Sequence, residues 1–351
     1  MLDRIKDVVW INTGFLGDIV IQTGAIKLLK HCAPWIRQHL ITTAIGSDAL
    51  GGFEDLDNVV VFSKRESNFF AAAKAVKSQL GICGSRCESS MILQPHRSLR
   101  SSFLAKYLGL RTVTYAETQG SSLADIVIPT VSLLHETHRI ALLLEPLGVD
   151  RRDIAHCTPS LTELSLDGTK EWHRFFDDDS KSIGVAPGSV WGTKRWPQES
   201  FKELIEGIVE LDKDVKVVLL GSTAEMETCQ WIYSSLPHIQ GSLINLAGKT
   251  SLAELCGVVP KLDLMIANDS SPIHYASAFS VPTLALFGPT VSAMGFGPLA
   301  PKSRVLENSQ VPCRPCGLHG PKVCPKEHFL CMRSLKSEAA LEYCREILLK
   351  Q

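Results

Sequence analysis

Short apolar runs alternate with stretches of helical periodicity along both halves of this chain of 351 residues. The runs that predict strands lie at 8–12, 39–45, 58–63, 91–94, 112–115, 182–186, 215–220, 262–267 and 282–287. Helical patterns at 19–30, 68–79 and 98–108 separate several of the early runs. Such an alternation favours parallel sheets with helices on both faces, so the predicted fold class is α/β with doubly wound sheets.

The length of the chain allows two domains that each bury a hydrophobic core. A polar stretch at 148–160 lies between the two alternating halves and indicates a linker there or slightly later. We therefore predict an N-terminal domain at 1–165 and a C-terminal domain at 166–335. A C-terminal helix at 336–351 could pack back on the N-terminal domain.

Charge and hydropathy argue against two classes of protein. The formal net charge is −1, whereas proteins that bind nucleic acid normally carry a clustered cationic surface. No apolar run reaches the length that spans a bilayer, and the first residues lead into a strand without a basic and then apolar signal region. We expect a cytoplasmic protein that can visit a membrane surface and has no nucleic-acid partner.

The segment NDSSPIH at 268–274 follows a predicted strand and leads into a helix. Pro272 favours the first helical position, which predicts Ser271 as the N-cap. The N–H groups of Ile273, His274 and Tyr275 would then lack a helical partner, and the helix dipole would add positive charge beside them. This arrangement suits a diphosphate. Ordinary capping, with a satisfied His274, is the alternative.

A second junction between a strand and a helix lies at VAPGSVWGTKRWP, residues 185–197. Lys194 and Arg195 in this loop would supply mobile positive charge of the kind that phosphate recognition uses. The two junctions together indicate a nucleotide-linked substrate.

Three motifs in order carry a resemblance to a known family. They are Gly17-Asp18 after the first strand, PGS-W-KRWP at 187–197, and NDSSPIH continuing to LFGPT at 286–290. With this order and spacing, held to about residue 335, the chain resembles the ADP-heptose lipopolysaccharide heptosyltransferases of glycosyltransferase family 9. It departs from the pattern at Ser271, where family members often have glycine.

The resemblance implies the GT-B architecture, in which two Rossmann-like domains face each other across a cleft. It also implies an inverting glycosyltransferase that moves heptose from ADP-heptose to an inner-core sugar of lipopolysaccharide, without a cofactor. Such an enzyme would work in the cytoplasm and contact the inner face of the inner membrane peripherally. Two alternatives stay open, namely a sugar-nucleotide epimerase of the same fold and a non-catalytic sugar-nucleotide-binding protein.

Donor-binding roles follow from the resemblance for Ser189, Lys194, Glu225, Asp269, Ser270, Ser271 and His274. Lys194 would also act in catalysis, by neutralising charge on the departing diphosphate. Glu225 would bind the ribose hydroxyls, although Ser222 and Glu225 also fit a capping box. Asp269 would bind sugar hydroxyls of the donor, with a simple turn residue as the alternative.

Asp18 is the catalytic base that the resemblance implies. An inverting transfer needs a carboxylate that takes the proton from the attacking hydroxyl. Gly17 would permit a tight turn that leaves Asp18 at the start of a helix, on the edge where ligands bind in open α/β sheets. A plain helix cap is the alternative for this aspartate.

Acceptor binding is predicted for the basic side chains of Lys64, Arg65, Arg97 and Arg100, which follow strands of the first half. The inner core of lipopolysaccharide is anionic, so cations near the cleft would attract it. A solvated basic surface is the alternative.

Four of the eleven cysteines cluster near the C-terminus, in the pattern C-x2-C-x7-C-x6-C formed by Cys313, Cys316, Cys324 and Cys331. Four thiolates could close a zinc site or hold an iron–sulfur cluster. The pattern lacks a second CxxC pair, however, and cysteine-rich tails occur among relatives of the resembled family. We therefore expect a structural staple and predict no metal cofactor.

Overall fold

The computed structural model describes residues 2–63, 68–81, 89–131, 133–166 and 168–349. The chain divides into two compact units, Met1–Thr162 and Glu163–Gln351, with the boundary close to the predicted position at 165. Each unit contains a six-stranded parallel sheet with helices packed against it in the described residues. The predicted α/β fold class is confirmed.

The first unit is built on a sheet with the strand order β3-β2-β1-β4-β5-β6. Its strands are β1 (Asp7–Ile11), β2 (Arg37–Thr42), β3 (Asn58–Val61), β4 (Ser90–Leu93), β5 (Arg111–Tyr115) and β6 (Ile126–Ile128). Its helices are α1 (Leu16–Cys32), α2 (Ala44–Ala49), α3 (Phe69–Leu80), α4 (Leu99–Leu108), α5 (Glu136–Ala141) and α6 (Arg151–Ala155). Short 3₁₀ segments lie at Leu2–Arg4, Ser121–Leu123 and Leu142–Leu147.

Strand β1 occupies the middle of this sheet, and all five of its residues are buried. A central parallel strand is covered on both faces, which explains why the sequence DVVWI is apolar almost throughout. The indole N–H of Trp10 donates to Gln38 Oε1 on β2 at 2.9 Å, and the Gln38 amide donates to Ile26 O in α1 at 2.8 Å. These bonds pair the buried polar side chains of Trp10 and Gln38.

Polar caps and glycines set the ends of the helices beside this sheet. Asn68 accepts a hydrogen bond from the N–H of Ala71 and begins α3, and Ser98 does the same for the N–H of Ser101 at the start of α4. The two helices end at Gly81 and Gly109, both with φ in the left-handed region. Helix α4 therefore starts directly after the loop that leaves β4.

The second unit repeats the design with the strand order β12-β11-β10-β7-β8-β9. Its strands are β7 (Ser182–Ala186), β8 (Lys216–Leu219), β9 (Leu243–Asn245), β10 (Leu264–Asn268), β11 (Thr283–Phe287) and β12 (Arg304–Glu307). Its helices are α7 (Gln198–Leu211), α8 (Met226–Ser234), α9 (Leu252–Val258), α10 (Pro272–Ala278), α11 (Leu330–Arg333) and α12 (Ser337–Leu349). Its 3₁₀ segments are Glu171–Phe176, Gly192–Lys194, Thr223–Glu225, Pro237–Ile239, Val259–Lys261 and Ser292–Met294.

Helix α12 belongs to the core of the second unit. The side chains that it buries in this core are Ala340, Tyr343, Cys344 and Leu348. Leu341 packs on α7 at Gly207, where an added Cβ would lie 2.7 Å from the leucine side chain. Just before the helix, Leu335 O accepts a 3.0 Å hydrogen bond from the indole N–H of Trp196. The apolar face of this helix is thus used by the core of the second unit, and additional packing of the helix on the N-terminal domain stays a prediction.

Both sheets have a switch point, at which the strand order reverses direction. It lies between β1 and β4 in the first unit and between β7 and β10 in the second. Loops that leave such a pair of strands go in opposite directions and leave a crevice at the carboxyl edge, where open α/β sheets bind ligands. No helix in the described ranges is long and apolar enough to cross a membrane.

Candidate functional site

The loops after β7 and β10 meet at the switch point of the second sheet. Asn268, the last residue of β10, donates through Nδ2 to Pro187 O at 2.7 Å, and its Oδ1 accepts from the N–H of Trp196 at 3.0 Å. Ser270 Oγ also donates to Gly188 O at 3.4 Å. One buried asparagine thus holds the start and the end of the 187–197 loop against the NDSSPIH segment.

An ion pair lies in this junction. Lys194 Nζ is 2.6 Å from Asp269 Oδ2, and both side chains are buried. The hydroxyl of Thr290, in the loop after β11, donates to the same carboxylate oxygen at 2.5 Å. The structure differs from the predicted mobile charge in that the Lys194 ammonium group is buried and paired with Asp269.

The first turn of α10 differs from the prediction. Ser271 precedes the helix as expected, but its side chain makes no capping bond and its backbone is already helical, with φ −52° and ψ −31°. Because the chain turns one residue early, the N–H of Ile273 donates to Ser270 O at 3.2 Å and that of His274 to Ser271 O at 3.0 Å. The N–H of Tyr275 also donates to Ser271 O, so these three groups are not left over for a phosphate.

Glu225 lies beside the 187–197 loop and also caps a helical turn. Its Oε2 accepts from the N–H of Ser222 at 2.8 Å, and Ser222 Oγ accepts from the N–H of Ala224 at 3.2 Å. The capping box is therefore present. An added Cβ at Gly188 would overlap the Glu225 side chain, so glycine at 188 lets the glutamate approach the loop. The contact with Gly188 keeps Glu225 within the candidate donor site.

Ser189 shapes the turn that carries Lys194. It is buried, and its Oγ accepts from the N–H of Trp191 at 3.3 Å. Its carbonyl accepts from Arg195 Nε at 2.7 Å, while the Arg195 side chain reaches the surface. His274 is buried within α10. The structure thus brings the predicted donor residues of the second unit to one sheet edge.

The first unit has its own junction of loops, after β1 and β4. Asn12 Nδ2 donates to Gln22 Oε1 at 2.7 Å and to Asp18 O at 3.3 Å, which fixes the first turns of α1. Thr13 Oγ1 lies 3.1 Å from His96 Nδ1 in the other loop. The two loops are therefore joined by side chains at the edge where the switch point lies.

Asp18 lies in the first turn of α1, half-buried beside this junction. Its Oδ2 accepts a 3.1 Å hydrogen bond from the N–H of Phe15, so the predicted capping role is present. The turn before α1 has its tight contact at Gly14, where an added Cβ would lie 2.7 Å from Asp18 Oδ2. Gly17 is a residue of α1 itself. A carboxylate has several acceptor sites, so an Asp18 side chain that caps the helix can still accept a further hydrogen bond or a proton.

Arg97 is bound by carboxylates of its own unit. Its Nη2 lies 2.7 Å from Glu136 Oε1, its Nε lies 3.3 Å from Glu117 Oε1, and its guanidinium packs 5.3 Å from the ring centroid of Tyr115. Burial lowers the pKa of Arg97, but the larger opposite effect of the two carboxylates, chiefly Glu136, raises the pKa above its ordinary value. Arg97 is thus part of an ion network and not a solvated basic surface.

Of the other three basic residues predicted to bind the acceptor, the structure describes only Arg100. Arg100 lies in the first turn of α4 with its guanidinium 5.4 Å from the ring centroid of Phe62 and 5.8 Å from that of Phe69. Lys64 and Arg65 lie outside the described residues.

Several residues of the two junctions were missed as site residues by sequence reasoning. They are Asn12, Thr13, His96, Asn268 and Thr290. Asn268 and Thr290 stand inside the motifs that carried the resemblance, Asn268 as the last residue of β10 and Thr290 in the loop after β11, so polar residues at or just after the end of a buried strand were the available signal. The contact of Thr13 with His96 joins residues 83 positions apart and has no local signature.

Two units, each with a doubly wound six-stranded parallel sheet, are the two Rossmann-like domains that define the GT-B class of fold. The family model for glycosyltransferase family 9 (heptosyltransferase) matches residues 86–324. The chain belongs to this family.

Individual relatives agree with the family. Lipooligosaccharide heptosyltransferase 2 of Campylobacter jejuni is 32% identical over 170 residues, which cover 48% of this chain and 51% of the relative. The match thus spans about half the length of that curated relative. A glycosyltransferase family 9 structure from Veillonella parvula superposes with a TM-score of 0.76 at 21% identity, covering 99% of this chain and 98% of that one. The E. coli ADP-heptose lipopolysaccharide heptosyltransferase II gives a TM-score of 0.75 at 19% identity, covering 99% of both chains.

Proposed function

We propose that this protein is an inverting glycosyltransferase that transfers heptose from ADP-heptose to an inner-core sugar of lipopolysaccharide. Membership of the heptosyltransferase family supports the reaction type, and the names of the relatives support the donor and the acceptor. The observation that carries the proposal is the buried Lys194–Asp269 pair at the switch point of the second sheet. This is where a doubly wound sheet binds a nucleotide.

In the proposed donor complex, the diphosphate lies against the 187–197 loop and Lys194. Negative charge grows on the diphosphate as its bond to the anomeric carbon breaks, and a fixed ammonium group stabilises that charge at small reorganisation cost. Asp269 and Thr290 keep Lys194 in position before the donor arrives. Ser189, Ser270, Ser271 and His274 line the same edge, and Glu225 beside Gly188 would take the ribose hydroxyls.

Asp18 is the proposed general base. The acceptor hydroxyl attacks the anomeric carbon from the side opposite the diphosphate, and its proton passes to the carboxylate as the new bond forms. The bond from Phe15 N–H holds the carboxylate in one orientation, which suits a base that must meet the attacking hydroxyl.

The first unit would bind the acceptor. The proposal keeps Arg100, Lys64 and Arg65 as contacts for the anionic inner core and assigns Arg97 to shaping the site through Glu117 and Glu136. Since the acceptor is a membrane-anchored glycolipid, the proposal includes cytoplasmic location with peripheral contact at the inner face of the inner membrane.

Transfer can be tested directly with ADP-heptose and lipopolysaccharide from heptose-deficient cells. We expect release of ADP and a glycolipid heavier by one heptose, both seen by mass spectrometry. UDP-glucose serves as the control donor and should give no product. Epimerised sugar nucleotide without transfer, or binding of ADP-heptose without turnover, would contradict the proposal and favour one of the other two functions.

A further inference from the structure

The four clustered cysteines of the sequence come together in space. Cys313, Cys316, Cys324 and Cys331 all line one cavity of about 90 Å³, together with His328. Each of the four is a free thiol. Cys331 is buried and the other three are half-buried, so the thiols converge from several parts of the chain onto a partly enclosed space.

The segment that carries these cysteines has no regular secondary structure of its own. Between β12 and α11, from 308 to 329, the described chain forms neither helix nor strand. It leaves Leu318 and Val323 largely exposed, at 74% and 77% of their surface. Irregular segments longer than about 15 residues are uncommon in compact domains unless something stabilises them. A metal ion is one of the means by which proteins stabilise such segments.

His328 is oriented as a hydrogen-bond donor toward this cluster. Its Nδ1 accepts from the N–H of Leu330 at 3.0 Å, so in the neutral ring the proton is on Nε2. Nε2 lies 3.8 Å from Cys313 Sγ, within the range of an N–H···S bond. Metal thiolates commonly accept such bonds from a neighbouring group, which stabilise their negative charge.

We propose that Cys313, Cys316, Cys324 and Cys331 bind one structural metal ion through four thiolates, with zinc and iron as the two ions that this ligand set fits. Each thiol loses its proton on binding. The ion and four thiolates leave a net negative charge that the N–H of His328 and the Lys326 side chain, which also lines the cavity, would partly offset.

Binding requires a local rearrangement of side chains. In the part of the chain that the structure describes, no three histidine, cysteine or acidic side chains already adopt the spacing of metal ligands. The four thiols line one cavity but do not yet all point to a common centre, and rotation about their Cα–Cβ bonds would bring the sulfur atoms within bonding distance of an ion. The proposal therefore predicts that the side chains of the four cysteines change rotamer when the metal binds.

The ion would also support the loop that carries Lys194. The Thr193 hydroxyl donates to Pro321 O, and the Trp191 ring stacks on His319 with ring centroids 5.9 Å apart. The N–H of Cys316 donates to Pro289 O at 2.7 Å, next to the residue that bonds Asp269. An effect of the ion on donor binding rests on the proposed function, whereas the metal content of the protein does not.

Metal content is the direct test. The full-length protein, expressed with zinc and iron supplied and purified under reducing conditions, should hold about one zinc or one iron per chain by elemental analysis. Cys324→Ser with Cys331→Ser should abolish this metal, whereas Cys32→Ser, which changes a half-buried cysteine outside the cluster, should keep it. X-ray absorption should show about four sulfur neighbours at about 2.3 Å.

A second measurement covers the case in which the double variant does not fold. Cobalt(II) added to reduced, metal-depleted wild-type protein should produce thiolate charge-transfer absorption and raise the melting temperature. Zinc added afterwards should displace the cobalt and abolish this absorption. The proposal would be overturned if the purified protein held only trace metal and if neither cobalt nor zinc changed its absorption or its melting temperature. Metal retained by the folded double variant, or a disulfide among the four cysteines in place of thiols that bind metal, would overturn it too.

Discussion

Lys194 Nζ lies 2.6 Å from Asp269 Oδ2, and only 10% of the lysine side chain and 7% of the aspartate side chain are exposed to solvent. The family resemblance implies separate roles for these residues, one on the diphosphate and one on the donor sugar. The pair makes the roles interdependent, because removal of either partner leaves a buried charge without its counterpart. A substitution at one of them is therefore also a perturbation of the other.

Lys194→Ala should lower kcat as well as raise KM for the donor, because the contact with the diphosphate strengthens as charge builds on it. One charge-assisted contact is worth about 1.5 to 3 kcal/mol, or a tenfold to hundredfold loss of rate. Lys213→Ala, on an exposed turn of the same unit, is the matched control and should leave both constants unchanged. A change in KM alone would show that Lys194 binds the donor equally strongly in the ground state and in the transition state.

The same pair predicts a pattern in stability. Lys194→Met and Asp269→Asn should each destabilise the protein, and the double variant should lose less than the sum of the two. The double variant no longer buries an unpaired charge, which is the physical reason for the coupling. Urea unfolding of the four proteins measures it, and strict additivity would show that the two groups do not interact.

Asp18→Asn should leave a folded protein that binds ADP and transfers heptose about a hundredfold or more slowly. Asparagine accepts the hydrogen bond from Phe15 N–H as aspartate does, but it cannot take a proton at neutral pH. Asp150→Asn is the matched control, because Asp150 accepts from Arg152 N–H at the start of α6. Near-normal transfer by the Asp18 variant would reduce this residue to a cap.

Gly14→Ala should impair transfer by moving the Asp18 carboxylate. The new Cβ would lie 2.7 Å from Asp18 Oδ2 and 3.0 Å from Asn12 Oδ1, so one of these side chains must shift. Misplacement of a catalytic group by about 1 Å costs up to about a hundredfold in rate. Gly241→Ala, which meets nothing within 4 Å, should retain full activity. Equal activity of both variants would show that the position of Asp18 is not critical.

Alkaline pH should weaken the fold through a buried thiol. Burial raises the pKa of Cys344 from 9.0 to about 12. The unfolded chain loses this proton first, so the contribution is complete below about pH 9 and is lost as the pH rises toward 12. The fall is about 1.4 kcal/mol per pH unit for one group. Cys344→Ala should flatten the decline of the unfolding free energy over this range, and identical slopes for the two proteins would contradict the assignment.

The central strands could be predicted from the sequence, whereas three of the four edge strands, all but β3, could not. β1, β4, β7 and β10 are buried along their whole length and therefore appear as apolar runs. The missed strands β6, β9 and β12 have only three or four residues, lie at sheet edges and are incompletely buried, so each leaves only a short pattern in the sequence. Local patterns follow burial, and edge strands are incompletely buried.

For the site, the motifs predicted which loops come together but not the bonds between their side chains. NDSSPIH and the 187–197 loop were both identified, since each follows a buried strand. The pairing of Lys194 with Asp269 depends on β7 and β10 being neighbours, which no local pattern specifies. The same applies to Arg97, whose partner Glu136 lies 39 residues further along the chain.

The bond from Trp196 to Leu335 spans 139 residues, and it has a consequence for synthesis of the chain. Trp196 closes the loop that carries Lys194, yet its partner is made only after almost all of the second unit has left the ribosome. The sheet of the first unit needs no such late residue, because its last strand in chain order ends at Ile128. Domains tend to fold in the order in which they emerge. The first unit should therefore fold early during translation, while the loop around Lys194 reaches its final form only when the segment before α12 arrives.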